Sequence, residues 1–102
     1  AVEKVLRKGK LGVIENYVGH GIGKTMHEKP WVPNYGIRGH GYTLKVGDTI
    51  CIEPMSCLGK PSNYVDKDSD WTVRMKDGSI GCHCEHTVLV TEDGCEVLTL
   101  PD

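Results

Sequence analysis

The apolar residues of this chain arrive in short runs, and glycine, proline or aspartate ends nearly all of them. Leu11–Tyr17, Thr49–Glu53, Trp71–Met75, Cys84–Thr91 and Cys95–Leu100 read as strands from their branched and aromatic content. Pro54 stops the second run, and Glu92-Asp93-Gly94 joins the last two in a hairpin pattern. Only AVEKVLRKGK reads as helix. It looks like the last turns of one, with Ala1, Val2, Val5 and Leu6 on one side and Gly9 as the stop. Residues 18–25 (VGHGIGKT) read as a glycine-rich turn, 26–48 as loop and 56–70 as a polar, turn-rich stretch. The expected class is α+β: one helix remnant and five strands, with a sheet that no helix of this chain covers.

Length bounds what such a sheet can bury. A chain of 102 residues buries only about 60–70% of its unfolded surface, enough for one modest core. A helix entered part-way and an uncovered sheet imply that residues 1–102 are a single segment of a larger fold, marginal and partner-seeking alone. With 12 basic and 14 acidic residues the net charge is −2, which excludes a dedicated nucleic-acid binder. No apolar run approaches the ~20 residues of a membrane helix, so no membrane partner is expected. Five cysteines read as reduced thiols of a cytoplasmic protein. Cys51, Cys82, Cys84 and Cys95 lie in strand-like runs, where a thiol packs as a small hydrophobe.

Three familiar motifs fail on inspection. A phosphate loop needs glycine five positions before Gly23, and Val18 stands there. Gly19, Gly21 and Gly23 have the wrong spacing for a dinucleotide fingerprint. His27-Glu28 begins a zinc-protease pattern, but Trp31 occupies the place of its second histidine.

What remains is a set of possible ligands. His20 lies between glycines, which should leave its imidazole accessible. Glu53 ends an apolar strand, on the face of Cys51 and Thr49. Glu85 falls within another strand, on the face of His83, Thr87 and Leu89. Carboxylates inside strands of a small core are costly unless paired or bound to metal. Two of them with a histidine suit a divalent ion; exposure on a one-sided sheet is the plainer alternative. Cys82, Cys84 and His86 alternate onto the face opposite His83 and Glu85, which disfavours one tetrahedral site built from that run.

From about Lys10 to Leu100 the chain resembles the C-terminal half of type I methionine aminopeptidases, enzymes of the pita-bread fold. The matching motifs are GHGIG at 19–23, MHE at 26–28, VPNYG at 32–36, IEPM at 52–55, DWTV at 70–73 and EHTVLVTEDGCEVLT at 85–99. Their order and spacing carry the resemblance. It implies a C-terminal half-repeat of that fold, a mainly antiparallel curved sheet. It also implies removal of N-terminal methionine by water activated at two divalent ions (Mn, Fe, Co or Zn). His20, Glu53 and Glu85 would be metal ligands, with Glu85 bridging and Glu53 also helping to deprotonate the water. His27 would contact the substrate amide and steady the tetrahedral intermediate. Trp71 and Met26 would line the methionine pocket. The implied partners are the Met-initiated peptides of nascent proteins, the N-terminal half of the same enzyme, and the ribosome.

The resemblance is incomplete. The family's two aspartate ligands and a further substrate-contacting histidine belong to the N-terminal half, outside these residues. Met26 replaces a usual aromatic, and Cys82 and Cys84 stand where a small residue and an aromatic are common. A peptide-binding module of the same fold and a proline dipeptidase are the alternative readings.

Overall fold

A computed structural model describes all 102 residues. One helix precedes ten short strands. The helix α1 (Val2–Lys8) carries Glu3 in its first turn and Arg7 and Lys8 in its last, the charge order that its dipole favours. It buries no residue completely. The helix stops at Gly9 as expected, although Gly9 itself keeps an ordinary φ of −78° and the left-handed value, 59°, falls on Lys10.

The strands are β1 (Gly12–Val13), β2 (Gly19–Gly21), β3 (Glu28–Val32), β4 (Thr49–Ile52), β5 (Met55–Cys57), β6 (Asn63–Val65), β7 (Val73–Met75), β8 (Gly81–His83), β9 (His86–Val90) and β10 (Cys95–Val97). They form a five-stranded sheet ordered β10-β9-β4-β2-β3, a three-stranded sheet ordered β1-β5-β8 and the ribbon β6-β7. Every pairing is antiparallel. The α+β class and the β9–β10 hairpin are as expected; several boundaries are not.

The run Leu11–Tyr17 contracts to β1. The expected glycine turn contains β2, which is buried at all three positions and lies between β4 and β3. The stretch 26–48 contains β3, whose alternation is hidden by Glu28, Lys29 and Pro30. Pro30 is tolerated because β3 is an edge strand. Pairing runs Gly19↔Val32, His20↔Trp31, then Gly21↔Glu28, so Lys29 and Pro30 stand in a bulge.

The Cys84–Thr91 run shortens to β9, its first residues Cys84-Glu85 forming a break after β8, and the Thr49–Glu53 run gives way at Glu53-Pro54 to β5. These two breaks are one feature. β4 pairs with β9 up to Ile52↔His86, and β5 with β8 from Met55↔His83. The register is the same on both sides, so Glu53 stands opposite Glu85 and Pro54 opposite Cys84. The Cys84 N–H donates to the Pro54 carbonyl at 3.2 Å. At this junction a long two-stranded ribbon passes from one sheet to the other.

The core is small, with 12 of 102 residues buried. Ile14, Cys57 and Met75 form its centre, with Tyr17 and Met55 packed against them. Ile50, Cys51 and Val88 are buried along the middle strands β4 and β9 of the larger sheet. Many large apolar side chains, Val5, Ile37 and Ile80 among them, stay exposed. All five cysteines are free thiols. The expectation that those in strand-like runs pack inside holds for Cys51 alone. Cys82, Cys84 and Cys95 are exposed, because β8 and β10 are edge strands and Cys84 lies in the break. No helix is long and apolar enough to cross a membrane.

Asp77 clips the turn after β7 to the segment after β5. Its carboxylate accepts the Ser79 N–H at 3.0 Å and the Lys60 N–H at 2.8 Å. Bonds from Ser79 and Lys60 hold its pKa down at about 2, against an ordinary 3.8. A depressed carboxylate adds stability that is complete above its unfolded pKa and lost as pH falls through the folded one. Asp77→Asn is therefore expected to lower stability by a constant amount at neutral pH. Acid denaturation curves of the two proteins should converge between about pH 4 and pH 2. Parallel curves down to pH 2 would contradict this role.

Candidate metal centre

His20 is delivered by β2, just inside the edge strand of the larger sheet, opposite Cys51 on β4. The glycines around it were expected to expose the ring; instead it is 4% exposed. The reason is how closely neighbouring backbones approach. A Cβ on Gly19 would lie 2.1 Å from the Cys51 carbonyl oxygen, and one on Gly21 would lie 2.3 Å from that of Lys29. The glycines let strands close over His20 rather than open a turn around it.

The His20 Nδ1–H donates to the Gly21 carbonyl at 2.8 Å, since a carbonyl oxygen can only accept. A neutral ring then presents the bare Nε2 lone pair on its other side. That atom lies 3.0 Å from Glu53 Oε1 and 3.9 Å from Glu85 Oε1. Two acceptors so close require a proton or a cation between them. The carboxylates pose the same demand. Glu53 and Glu85 face each other across the ribbon, and like charges placed directly opposite are destabilising. Nitrogen and oxygen donors around one point suit a first-row divalent ion, so the residues present fit a metal.

His83 completes the group from β8. Its Nε2 lies 3.0 Å from Glu53 Oε2 and 4.0 Å from Glu85 Oε2. Glu53, His83 and Glu85 form one set whose ligand atoms all lie within 4.8 Å of one another; His20, Cys51 and Glu85 form another. Cys51 is the weakest candidate donor among them. Burial pushes its thiol above the usual range, the Thr87 hydroxyl at 3.5 Å offsets part of this, and the Glu85 and Glu53 carboxylates push it higher. A protonated thiol is a poor metal ligand.

His27 stacks on His20, with ring centroids 4.3 Å apart and planes tilted by 51°. Glu28 shapes the loop that places it, accepting the Thr25 O–H at 2.9 Å and the Thr25 N–H at 3.3 Å. Asn34, buried after β3, donates to the Glu53 carbonyl at 3.2 Å and ties the ribbon break to the segment that follows β3.

The profile of metallopeptidase family M24 matches residues 1–92. The chain belongs to metallopeptidase family M24. Among M24 relatives it is similar to the methionine aminopeptidase of Mycoplasma capricolum, 46% identical over 98 residues, covering 96% of this chain and 39% of that protein. It is 48% identical over 96 residues to methionine aminopeptidase 1 of Mycobacterium tuberculosis, covering 93% of this chain and 36% of that protein. The solved methionine aminopeptidase of Thermotoga maritima superposes with a TM-score of 0.93 at 43% identity, covering 98% of this chain and 40% of that one. The architecture is thus the pita-bread fold of that structural relative, and this chain spans about 40% of its length.

Against the M24 expectation, the fold brings His20, Glu53 and Glu85 to one place and sets His27 beside them. Trp71 and Met26 are not drawn in: they are 80% and 70% exposed. Glu85, expected inside a strand, lies in the break before β9, its side chain 41% exposed. Sequence reasoning left out His83, although alternation had placed it on the face of Glu85. It also left out Asn34, whose role depends on a contact distant in sequence.

Proposed function

We propose that this chain is the C-terminal half of a methionine aminopeptidase, a metallo-exopeptidase, with residues 1–102 as one segment of its catalytic domain. The observation that carries the reading is the meeting of His20, Glu53 and Glu85 with His27 stacked against the first of them. On this reading those three side chains are three of the five ligands of two divalent ions drawn from Mn, Fe, Co or Zn, and the N-terminal half supplies the two aspartates that complete the set. Such an ion pair, when bound, supplies hydroxide near neutral pH and polarises a scissile carbonyl.

The chain's own residues supply the rest. Glu53 is anchored through its carbonyl by Asn34 and faces an imidazole at each carboxylate oxygen. It is thereby positioned to take a proton from the attacking water. His27 offers a ring N–H toward the carbonyl oxygen, where negative charge grows in the transition state; a donor so placed is worth about 10²–10³ in rate. Trp71 and Met26 present uncovered apolar faces that become walls of a methionine pocket once the rest of the fold is in place. The exposed apolar side chains are the surface on which that N-terminal half packs. The substrates are Met-initiated peptides of nascent proteins, met at the ribosome in the cytoplasm.

The test is hydrolysis of Met-Ala-Ser with Mn or Co. The chain is assayed alone and mixed with the segment of the Mycoplasma capricolum relative that it does not match. Metal-dependent release of methionine from the mixture, abolished by chelator, is expected. A folded mixture that binds metal and releases nothing would remove the aminopeptidase reading. Cleavage of X-Pro dipeptides instead would favour the proline dipeptidase.

A further inference from the structure

His27 is the last residue of the loop that joins β2 to β3. Its ring stacks on the buried His20, yet His27 is itself exposed, as is the whole run from Gly23. Burial therefore does not fix where this ring points; the loop must. Glu28, the first residue of β3, turns back into that loop. Its Oε2 accepts the Thr25 O–H at 2.9 Å and the Thr25 N–H at 3.3 Å. The same hydroxyl reaches the His27 carbonyl at 3.3 Å, and the Thr25 carbonyl accepts the Gly23 N–H at 3.1 Å. The other carboxylate oxygen, Oε1, lies over Gly23, where a Cβ would stand 2.7 Å from it. The φ of Gly23 is not positive, so backbone conformation does not call for glycine there. The space taken by the carboxylate does.

We infer that Glu28 is a positioning residue for His27. It acts by accepting from Thr25, and Gly23, the third glycine of GHGIG, gives its carboxylate room to do so. The inference rests on the role proposed above for His27. Hydrogen bonds to a carboxylate are roughly twice as strong as those between neutral groups. One such group, shared by Thr25 and seated across Gly23, gives an exposed loop a single closed shape. The shape matters because a donor helps the reaction only where charge develops. A misplacement of about 1 Å can cost about 10²-fold in rate.

The test is proton NMR of the metal-free chain, reading the cross-peak between the His20 and His27 rings, with a thermal melt of each variant to show that it is folded. The unmutated chain should give a strong cross-peak. Glu28→Ala should lose it. Glu28→Gln, whose amide oxygen still accepts from Thr25, should keep it. Gly23→Ala should weaken it when Glu28 is present and add nothing to Glu28→Ala, because the methyl group then meets no carboxylate; sites that act through one contact are not additive. Thr25→Val removes the O–H alone and should weaken the cross-peak in part, which carries the test if Glu28→Ala does not fold. A full cross-peak in folded Glu28→Ala or in Thr25→Val, or an equal effect of Gly23→Ala in both backgrounds, would overturn the inference. So would the absence of a cross-peak from the unmutated chain. In the mixture that hydrolyses Met-Ala-Ser, Glu28→Ala should lower kcat by about 10–100-fold at unchanged KM, the mark of a contact made only in the transition state. The cross-peak needs neither metal nor peptide, so failure of the aminopeptidase reading leaves it decisive for the position of His27.

Discussion

Glu85→Ala is expected to abolish high-affinity metal binding while leaving the metal-free fold intact. On the proposed reading Glu85 bridges the two ions, and it lies 3.9 Å from the His20 ring nitrogen, so one substitution weakens both positions. Losing a side chain that only supports a ligand costs about 10–100-fold in metal affinity, and losing a shared ligand should exceed that. The residue is partly exposed, lies between strands and makes no hydrogen bond to the backbone. Its removal also relieves the repulsion of two opposed carboxylates. The readout is thermal unfolding with and without Co(II). At a free metal concentration 100 times Kd the unmutated chain gains about 2.7 kcal/mol. For a chain of this size that is a rise of roughly 10–20 °C in Tm. The variant should match the metal-free Tm and show almost no rise. An equal rise in both proteins would exclude Glu85 from the metal centre.

Gly19→Ala and Gly21→Ala are expected to have the largest effect on folding. Each added methyl group would meet a backbone carbonyl of a paired strand, at 2.1 and 2.3 Å. No flexible side chain can yield there; the strands themselves must part. Overpacking a core costs about 1–3 kcal/mol when side chains can adjust, so about 3 kcal/mol or more is expected here. With so few residues buried, such a loss should remove cooperative unfolding altogether. Gly9→Ala is the control. Its nearest contact would be 3.4 Å and its φ is −78°, so urea melts of this variant should match or exceed the parent. Melts of Gly19→Ala indistinguishable from the parent would show that β2 and β4 do not approach as closely as described.

Much of the site was legible because its residues have few other uses. Of the four glutamates in strand-like runs, Glu15 and Glu96 are exposed, whereas Glu53 and Glu85 lie at the centre beside His20. Alternation correctly set His83 on the face of Glu85, and the Glu92–Gly94 turn marked the hairpin. The errors have a common origin. Glycine was taken as freedom of the chain, whereas at Gly19 and Gly21 it permits close approach. Pro30 and its charged neighbours masked an edge strand, where proline and charge cost little. Cys82, Cys84 and Cys95 carried strand-like surroundings but lie at edges and in a break, and no local pattern distinguishes an edge strand from a central one.

The sequence by itself determined the chemistry on offer: imidazole and carboxylate donors, antiparallel hairpins, and too little apolar volume to cover its own sheets. It also determined the break in the ribbon, since Pro54 has no N–H for the ladder. Only the tertiary structure decided that Glu53 and Glu85 stand opposite each other, that His20 is closed in rather than open, and that His83 lies against Glu53. These outcomes depend on register between strands far apart in the chain. Register is set by packing and hydrogen bonding across the whole sheet, a sum to which no single stretch of residues has access.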